Sequence, residues 1–246
     1  MHSRRIYANP PLIEALCELR FEPGRPWDQT IPGLLYAEVR ESFPIREQED
    51  QTEIQFHLDS PRVQRQTTKR MRFFNNGKTA LVQVSTDALV VNHLQPYPGW
   101  EVFRSTVLTA LDRYKAVAEP KAVSACALRY INRIPVPNQG AILEHYLLTV
   151  PKVPSNLPEA LVGWSLALDI PHLEHKGIVR LEAGAAPVAE GEDAAFILDI
   201  RFSALNSHDL GLEDSLIAWI DGAHDVIEET FEASITDNAR SIFQEE

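Results

Sequence analysis

The stretch AVSACALRYINRIPVP, residues 122–137, decides the fold, because its centre repeats a short pattern from the N-terminus. The pattern Cys-x-Leu-Arg-aromatic occurs at residues 126–130 and also at residues 17–21. Each copy is followed by a short helix-like stretch, then by strand-like runs, and then by a long amphipathic helix. This order predicts a chain built from two related halves, residues 1–120 and residues 121–246, that form one compact unit.

Hydrophobic periodicity predicts the order β-α-β-β-β-β-α in the first half and β-α-β-β-β-α in the second. Strands joined by short turns favour antiparallel pairing, and helices with a single apolar stripe favour cover on one sheet face. The predicted fold class is therefore α+β, with one or two curved antiparallel sheets and long helices on one face. The order resembles the TATA-binding-protein-like and helix-grip folds, a likeness of topology that carries no function.

The clearest predicted elements have definite bounds in the sequence. The strands are expected at residues 12–22, 81–84, 89–94, 163–170, 177–185 and 194–204. Long helices are expected at residues 100–118 and 213–236, and shorter ones at about 31–43 and 141–148. A polar turn is expected at residues 190–193.

The composition narrows the class of partner. The formal charge of −12 argues against a broad surface for nucleic acid or anionic membrane, because phosphate binding depends on positive potential. The chain has no apolar run near the roughly 20 residues that span a bilayer, and its N-terminus lacks the apolar core of a secretory signal. We expect a cytoplasmic protein that has no membrane partner and no broad surface for nucleic acid, while a local basic site stays open.

Two cysteines and one histidine motif are the residues of this sequence that could form a reactive or metal site. Cys17 and Cys126 lie in apolar strand-like runs, which favours buried reduced thiols over a redox or nucleophilic role. The motif His172-Leu-Glu-His175 falls in a predicted turn, without the helical spacing that aims two rings at one ion. We therefore predict no metal and no cofactor.

Strand alternation predicts an arginine-bearing sheet face. If Cys17, Leu19 and Phe21 face the helices, Arg20 points the other way. The same rule puts Arg129 and Arg133 on the uncovered face. Later strands send Arg180 and Arg201 there as well. Because arginine forks bind carboxylate or phosphate in bidentate fashion, the predicted ligand-binding residues are Arg20, Arg129, Asn132, Arg133 and Arg201. The alternative is that the arginines pair with Glu18, Glu182 and Asp199 on a solvated surface, where each pair contributes little.

Three functions follow from this face. The leading hypothesis is a non-catalytic binding or interaction protein, whose anionic small molecule or protein partner docks on the arginine face or in a cavity between sheet and helices. The runner-up is an enzyme or nucleic-acid-processing factor with a cleft around Arg129, Asn132 and Arg133, with His93 as a further candidate. Its catalytic residues are unknown, since no nucleophile motif or phosphate loop occurs. The third is assembly of a homo-oligomer through exposed strand edges.

Several motifs also suggest a family. They are Asn9-Pro-Pro-Leu-Ile-Glu-Ala15, Leu19-Arg-Phe21, Pro32-Gly-Leu34, Tyr97-Pro-Gly-Trp-Glu101 and Arg129-Tyr-Ile-Asn-Arg-Ile134. Together they resemble a sporadically distributed family of uncharacterised bacterial proteins of about this length, over most of the chain. The resemblance implies a bacterial cytoplasmic protein, and it brings no catalytic residues with it.

Overall fold

The fold was obtained as a computed structural model that describes residues 5–56, 63–136, 143–157, 161, 163–187 and 194–244. At residues 51–56 and 63–68 only the backbone is described. Within these ranges, nine strands form one open, curved antiparallel sheet that is accompanied by four α-helices. The predicted α+β class is therefore confirmed, with one sheet and not two. The relation between the two halves as repeats stays a prediction.

The elements follow one another in this order. The strands are β1 (Leu12–Glu22), β2 (Ile45–Phe56), β3 (Val63–Phe74), β4 (Ala80–Val84), β5 (Ala88–Leu94), β6 (Ala122–Pro135), β7 (Ser165–His172), β8 (Gly177–Ala185) and β9 (Ala195–Ala204). The helices are α1 (Thr30–Val39), α2 (Trp100–Ala118), α3 (Asp214–Ser234) and α4 (Asp237–Phe243). Across the sheet the strand order is β2-β3-β4-β5-β1-β6-β9-β8-β7.

Several predicted bounds are confirmed, whereas two of the predicted helices end before the residues expected. β1, α2 and β8 have the predicted limits. α1 ends at Val39, before the predicted stop at Pro44, and the Asp28 carboxylate accepts the N–H of Thr30 at its start. The predicted last helix ends at Ser234, and a further helix, α4, begins after Thr236, whose hydroxyl caps it by accepting the N–H of Ala239.

Two smaller expectations fall at the edges of the described ranges. The helix expected at residues 141–148 is represented by a single 3₁₀ turn at Leu143–His145, and residues 141–142 lie outside the described residues. The polar turn expected at residues 190–193 also lies outside them.

Contacts along the chain divide it into two compact units, which are described separately. Unit 1 comprises Met1–Ala15, Ala127–Asn206 and Ala218–Glu246. Unit 2 comprises Leu16–Cys126 and Ser207–Ile217. The predicted division into residues 1–120 and 121–246 stays a prediction.

In unit 2, the first copy of the repeated pattern faces the helices as predicted. Cys17, Leu19 and Phe21 are buried, and the Phe21 ring stacks on Tyr114 of α2 with the ring centroids 5.0 Å apart. The α2 residues Phe103, Val107, Leu111 and Tyr114 form the buried stripe that the periodicity predicted. Arg20 alternates with these buried residues and is partly exposed.

In unit 1, α3 packs on the corresponding face of the second copy. Leu128 and Tyr130 of β6 are buried, and the Tyr130 hydroxyl lies 3.0 Å from Nδ1 of His224 on α3. Phe202 of β9 stacks on Trp219 of α3 with the ring centroids 5.7 Å apart. The side chains that alternate with these buried residues on β6, β7, β8 and β9 lie on the opposite side of the strands. We call this side the open face of unit 1.

Candidate functional site

The register of the open face brings three arginines into one line across the strands. Arg129 of β6 is directly opposite Arg201 of β9, and Arg201 is directly opposite Arg180 of β8. Asp169 of β7 continues the line beside Arg180. Since neighbouring strands are about 4.8 Å apart, the three arginines start from backbone positions that span roughly 10 Å. We call Arg129, Arg201 and Arg180 the arginine row.

A parallel line of carboxylates lies two residues further along the strands. Asp199 of β9 is directly opposite Glu182 of β8, and we call these two the acidic row. Arg129 donates from Nε to Asp199 Oδ1 at 2.8 Å and also bonds Asp199 from Nη2. Arg180 donates from Nε to Glu182 Oε1 at 2.9 Å and from Nη1 to Asp169 Oδ2 at 3.0 Å. The ion pairs that the alternative interpretation named for this face are therefore present.

The pair between Arg129 and Asp199 is the most enclosed of these contacts. The side chain of Asp199 is 10% exposed and that of Arg129 is 34% exposed. The hydrogen bonds to Asp199 raise the pKa of the Arg129 guanidinium above its usual value, against the opposing effect of burial. Replacement of Arg129 would leave a nearly buried carboxylate without its counter-charge. Arg129 therefore supports the fold as well as lining the face.

Arg201 occupies the central place in the arginine row. Like charges directly opposite each other on a sheet are destabilising, and Arg201 has such a neighbour on both sides. Its Nε donates to the hydroxyl of Ser203 at 3.2 Å. Of the three arginines, Arg201 is the one with an arginine directly opposite on both sides.

A depression of about 310 Å³ adjoins the acidic row on the same face. Its lining comprises Ser165, Leu166, Ala167, Glu182, Ala183, Gly184, Ile197 and Asp199. The small residues Ala167 and Gly184 leave the space, and Glu182 and Asp199 contribute carboxylates to it. Its volume is at the lower end of the range of small-molecule pockets, so the depression can admit one side chain of a partner or a small ligand.

The structure does not bring Asn132 together with the two β6 arginines. Asn132 is 4% exposed and alternates with Arg129 and Arg133, which puts it on the face covered by α3. Its amide donates from Nδ2 to the backbone carbonyl of Leu198 at 3.1 Å. Arg133 lies on the open face, opposite Ile197, and its own backbone N–H donates to the carbonyl of Pro11 at 2.8 Å.

Arg20 and His93 belong to unit 2. Arg20 donates from Nε to Glu18 Oε1 at 2.8 Å and from Nη1 to Asp87 Oδ2 at 3.1 Å. His93 is 8% exposed, its Nε2 lies 3.2 Å from the hydroxyl of Thr106, and burial lowers the pKa of its imidazole. Each of these side chains is thus held by partners within its own unit.

Sequence reasoning missed two features of the open face. Arg180 was expected on the face but was left out of the predicted binding residues, and its partner Asp169 was not considered. Alternation along a strand predicts which side of the sheet each side chain lies on. Only the register between strands shows that the three arginines lie in one row. A turn of known length between β8 and β9 would have supplied that register, and the intervening residues 188–193 lie outside the described part of the chain.

Comparison with known protein families and with curated proteins found no relative of this chain. No known protein family matches the chain, and no curated protein matches it significantly. The family resemblance of the sequence motifs stays a prediction. Among the described residues, none of the helices combines the length and the apolar character needed to cross a membrane.

Proposed function

We propose that the protein is a non-catalytic binding protein whose partner docks on the open face of unit 1. The observation that carries the proposal is the place of Arg201, directly opposite an arginine on each side. The row sets three guanidinium groups side by side across three strands, and a partner carboxylate above it would add hydrogen-bonded counter-charge to them.

The balance of charge on the face favours a protein partner over a small anion. Its described residues include four arginines (Arg129, Arg133, Arg180 and Arg201) and three carboxylates (Asp169, Glu182 and Asp199). Glu14 of the adjacent strand β1, whose charge acts on Arg129, is a fourth carboxylate beside the face. Four positive and four negative charges cancel, so the face as a whole attracts a free anion weakly. A protein surface that sets acidic groups over the arginine row and basic groups over the acidic row would match both.

The same balance argues against nucleic acid, whose binding requires a positive surface and releases counterions. The net charge of −12 adds to that argument. We place the protein in the bacterial cytoplasm as part of this proposal. Its two free, buried cysteines are consistent with a reducing compartment.

Edge pairing between copies is a weaker proposal than docking on the face. β7 lies at one end of the strand order and carries the exposed residues Asp169 and Pro171. A charge and a proline on an edge strand discourage pairing with another strand, because proline lacks an N–H donor. The open face therefore suits a partner better than the β7 edge does.

The test is native mass spectrometry of the protein recovered from an extract of its own host. Three forms are compared: wild type, Arg201→Gln, and Arg113→Gln, which removes an arginine from the surface of α2, where it lies 3.5 Å from Glu38. We expect a protein complex with wild type and with Arg113→Gln that is lost with Arg201→Gln and weakened by salt. An added mass of small-molecule size would overturn the protein partner. Identical spectra for all three forms would overturn the role of the arginine row.

A further inference from the structure

We infer that His172 and His175, at the turn between β7 and β8 in unit 1, form a binding site for a zinc-like transition-metal ion. The two imidazole rings lie side by side, with their centroids 4.9 Å apart and their planes inclined by 55°. An ion held about 2.0–2.1 Å from one nitrogen of each ring, at a near-tetrahedral angle, puts the ring centroids roughly 5 Å apart. The spacing of the two rings therefore permits a shared ion.

The turn itself explains how this spacing arises without a helix. Lys176 has a φ of 49°, and its N–H donates to the carbonyl of Leu173 at 3.2 Å. This left-handed residue closes the turn tightly and returns the chain toward the end of β7. Helical spacing is thus not needed, because the backbone of this turn brings the two rings together.

The His172 ring has a nitrogen that is unsatisfied among the described residues. Its Nδ1 is buried and has no hydrogen-bond partner among the described residues. Buried polar atoms are nearly always satisfied, so an orphaned nitrogen needs an explanation. Phe202 holds the ring in place through an edge contact at 6.1 Å and 86°. A metal ion is a partner that a neutral imidazole nitrogen can take.

The His175 ring has room beside α3 because residue 222 is glycine. A Cβ at Gly222 would lie 3.2 Å from Nδ1 of His175, closer than most Cβ contacts. A side chain at this position would push the ring away from its present place. The rings of both histidines are thus positioned by unit 1 itself, one by Phe202 and the other by the backbone of α3.

The ligand set selects the class of metal. Among the described residues, no group of three or more His, Cys, Asp or Glu side chains is arranged to hold an ion. Two imidazoles therefore supply the protein ligands, and water completes the coordination. Imidazole suits zinc, cobalt and nickel, whereas calcium and magnesium require oxygen ligands that this pair does not offer.

The test is calorimetric titration of the chelator-treated full chain with Zn²⁺, repeated with Co²⁺ for its absorption spectrum. The variants are His172→Phe, His175→Gln and both together, and the control is His208→Gln, whose side chain is 66% exposed elsewhere. We expect one ion bound by wild type and by the control, and at least about tenfold weaker affinity in each single variant.

Two outcomes would overturn the site. One is wild-type affinity for Zn²⁺ that is no higher than that of the double variant, which would leave the rings as packing partners in a turn. The other is undiminished affinity in His175→Gln, which changes a partly exposed turn residue and so decides the matter even where His172→Phe fails to fold. Neither outcome bears on the arginine row.

Discussion

The two copies of the Cys-x-Leu-Arg-aromatic pattern, one on β1 and one on β6, have the same facing and different partners. In each copy the cysteine, leucine and aromatic side chains are buried and the arginine lies on the other side of the strand. Arg20 pairs with Glu18 and with Asp87, whose side chain is 45% exposed. Arg129 pairs with Asp199, whose side chain is 10% exposed.

The buried residues of the two copies also differ in the groups that they contact. Phe21 stacks on another aromatic ring, whereas Tyr130 makes a hydrogen bond to a buried histidine. Cys17 is 1% exposed, and Cys126 has the Ser207 hydroxyl 4.0 Å from its sulfur. A sequence pattern thus decides which way a side chain points, while the neighbouring elements decide how much that side chain contributes to stability.

The largest expected difference is between the two arginines. Arg129→Ala should lower the free energy of unfolding by about 2–3 kcal/mol, because it leaves the Asp199 carboxylate enclosed and unpaired. Arg20→Ala should cost less than about 1 kcal/mol, since its partners are solvated. Urea unfolding of both variants measures the difference. Addition of Asp199→Asn to Arg129→Ala should recover part of the loss, and equal losses at Arg20 and Arg129 would contradict the comparison.

A smaller difference is expected between the two cysteines. Cys17→Ser places a hydroxyl in a buried site and should cost about 1–3 kcal/mol. Cys126→Ser should cost less, because the new hydroxyl has Ser207 within reach. The midpoints of urea unfolding give the order of the two costs, with Cys17→Ala and Cys126→Ala as matched controls for lost volume. A larger cost at Cys126 would show that Ser207 is not a usable partner.

The effect expected to be smallest near neutral pH concerns Tyr114, the partner of Phe21, and it shows itself only at alkaline pH. Burial, with a further contribution from the charge of Asp87, raises the pKa of Tyr114 from 10.0 to about 12. The folded protein then keeps a proton that the unfolded chain releases, so this contribution to stability is lost as the pH rises from about 10 toward 12. Tyr114→Phe should show a shallower alkaline decline of the unfolding free energy than wild type. Parallel declines in the two proteins would contradict the assigned pKa.

The residues show how far the sequence could predict this structure. Alternation placed Cys17, Leu19 and Arg20 correctly, and the three-four spacing placed the α2 stripe, because both periods follow from backbone geometry. The same alternation would have put Asn132 on the covered face, four residues after Leu128. Grouping it with its sequence neighbours Arg129 and Arg133 overlooked that signal.

Other features had no signal in a single sequence. The arginine row depends on the register between β6, β9 and β8, and strand periodicity alone leaves that register open. The contact between the His172 and His175 rings depends on the positive φ of Lys176. Lysine rarely adopts a positive φ, so the sequence does not predict this conformation. α4 is separate from α3 because the helix breaks after Ser234. At the break, Ile235 forms an isolated β-bridge with Leu147, which is distant in the sequence.

We propose that Arg201 serves binding and not the fold. The most direct test is the free energy of unfolding of Arg201→Gln relative to wild type, measured at low and at high salt. The account predicts a variant at least as stable as wild type at low salt, with the gap closing as salt screens the repulsion within the arginine row. A variant that is less stable by about 1 kcal/mol or more at both salt concentrations would make Arg201 a structural residue and contradict the claim.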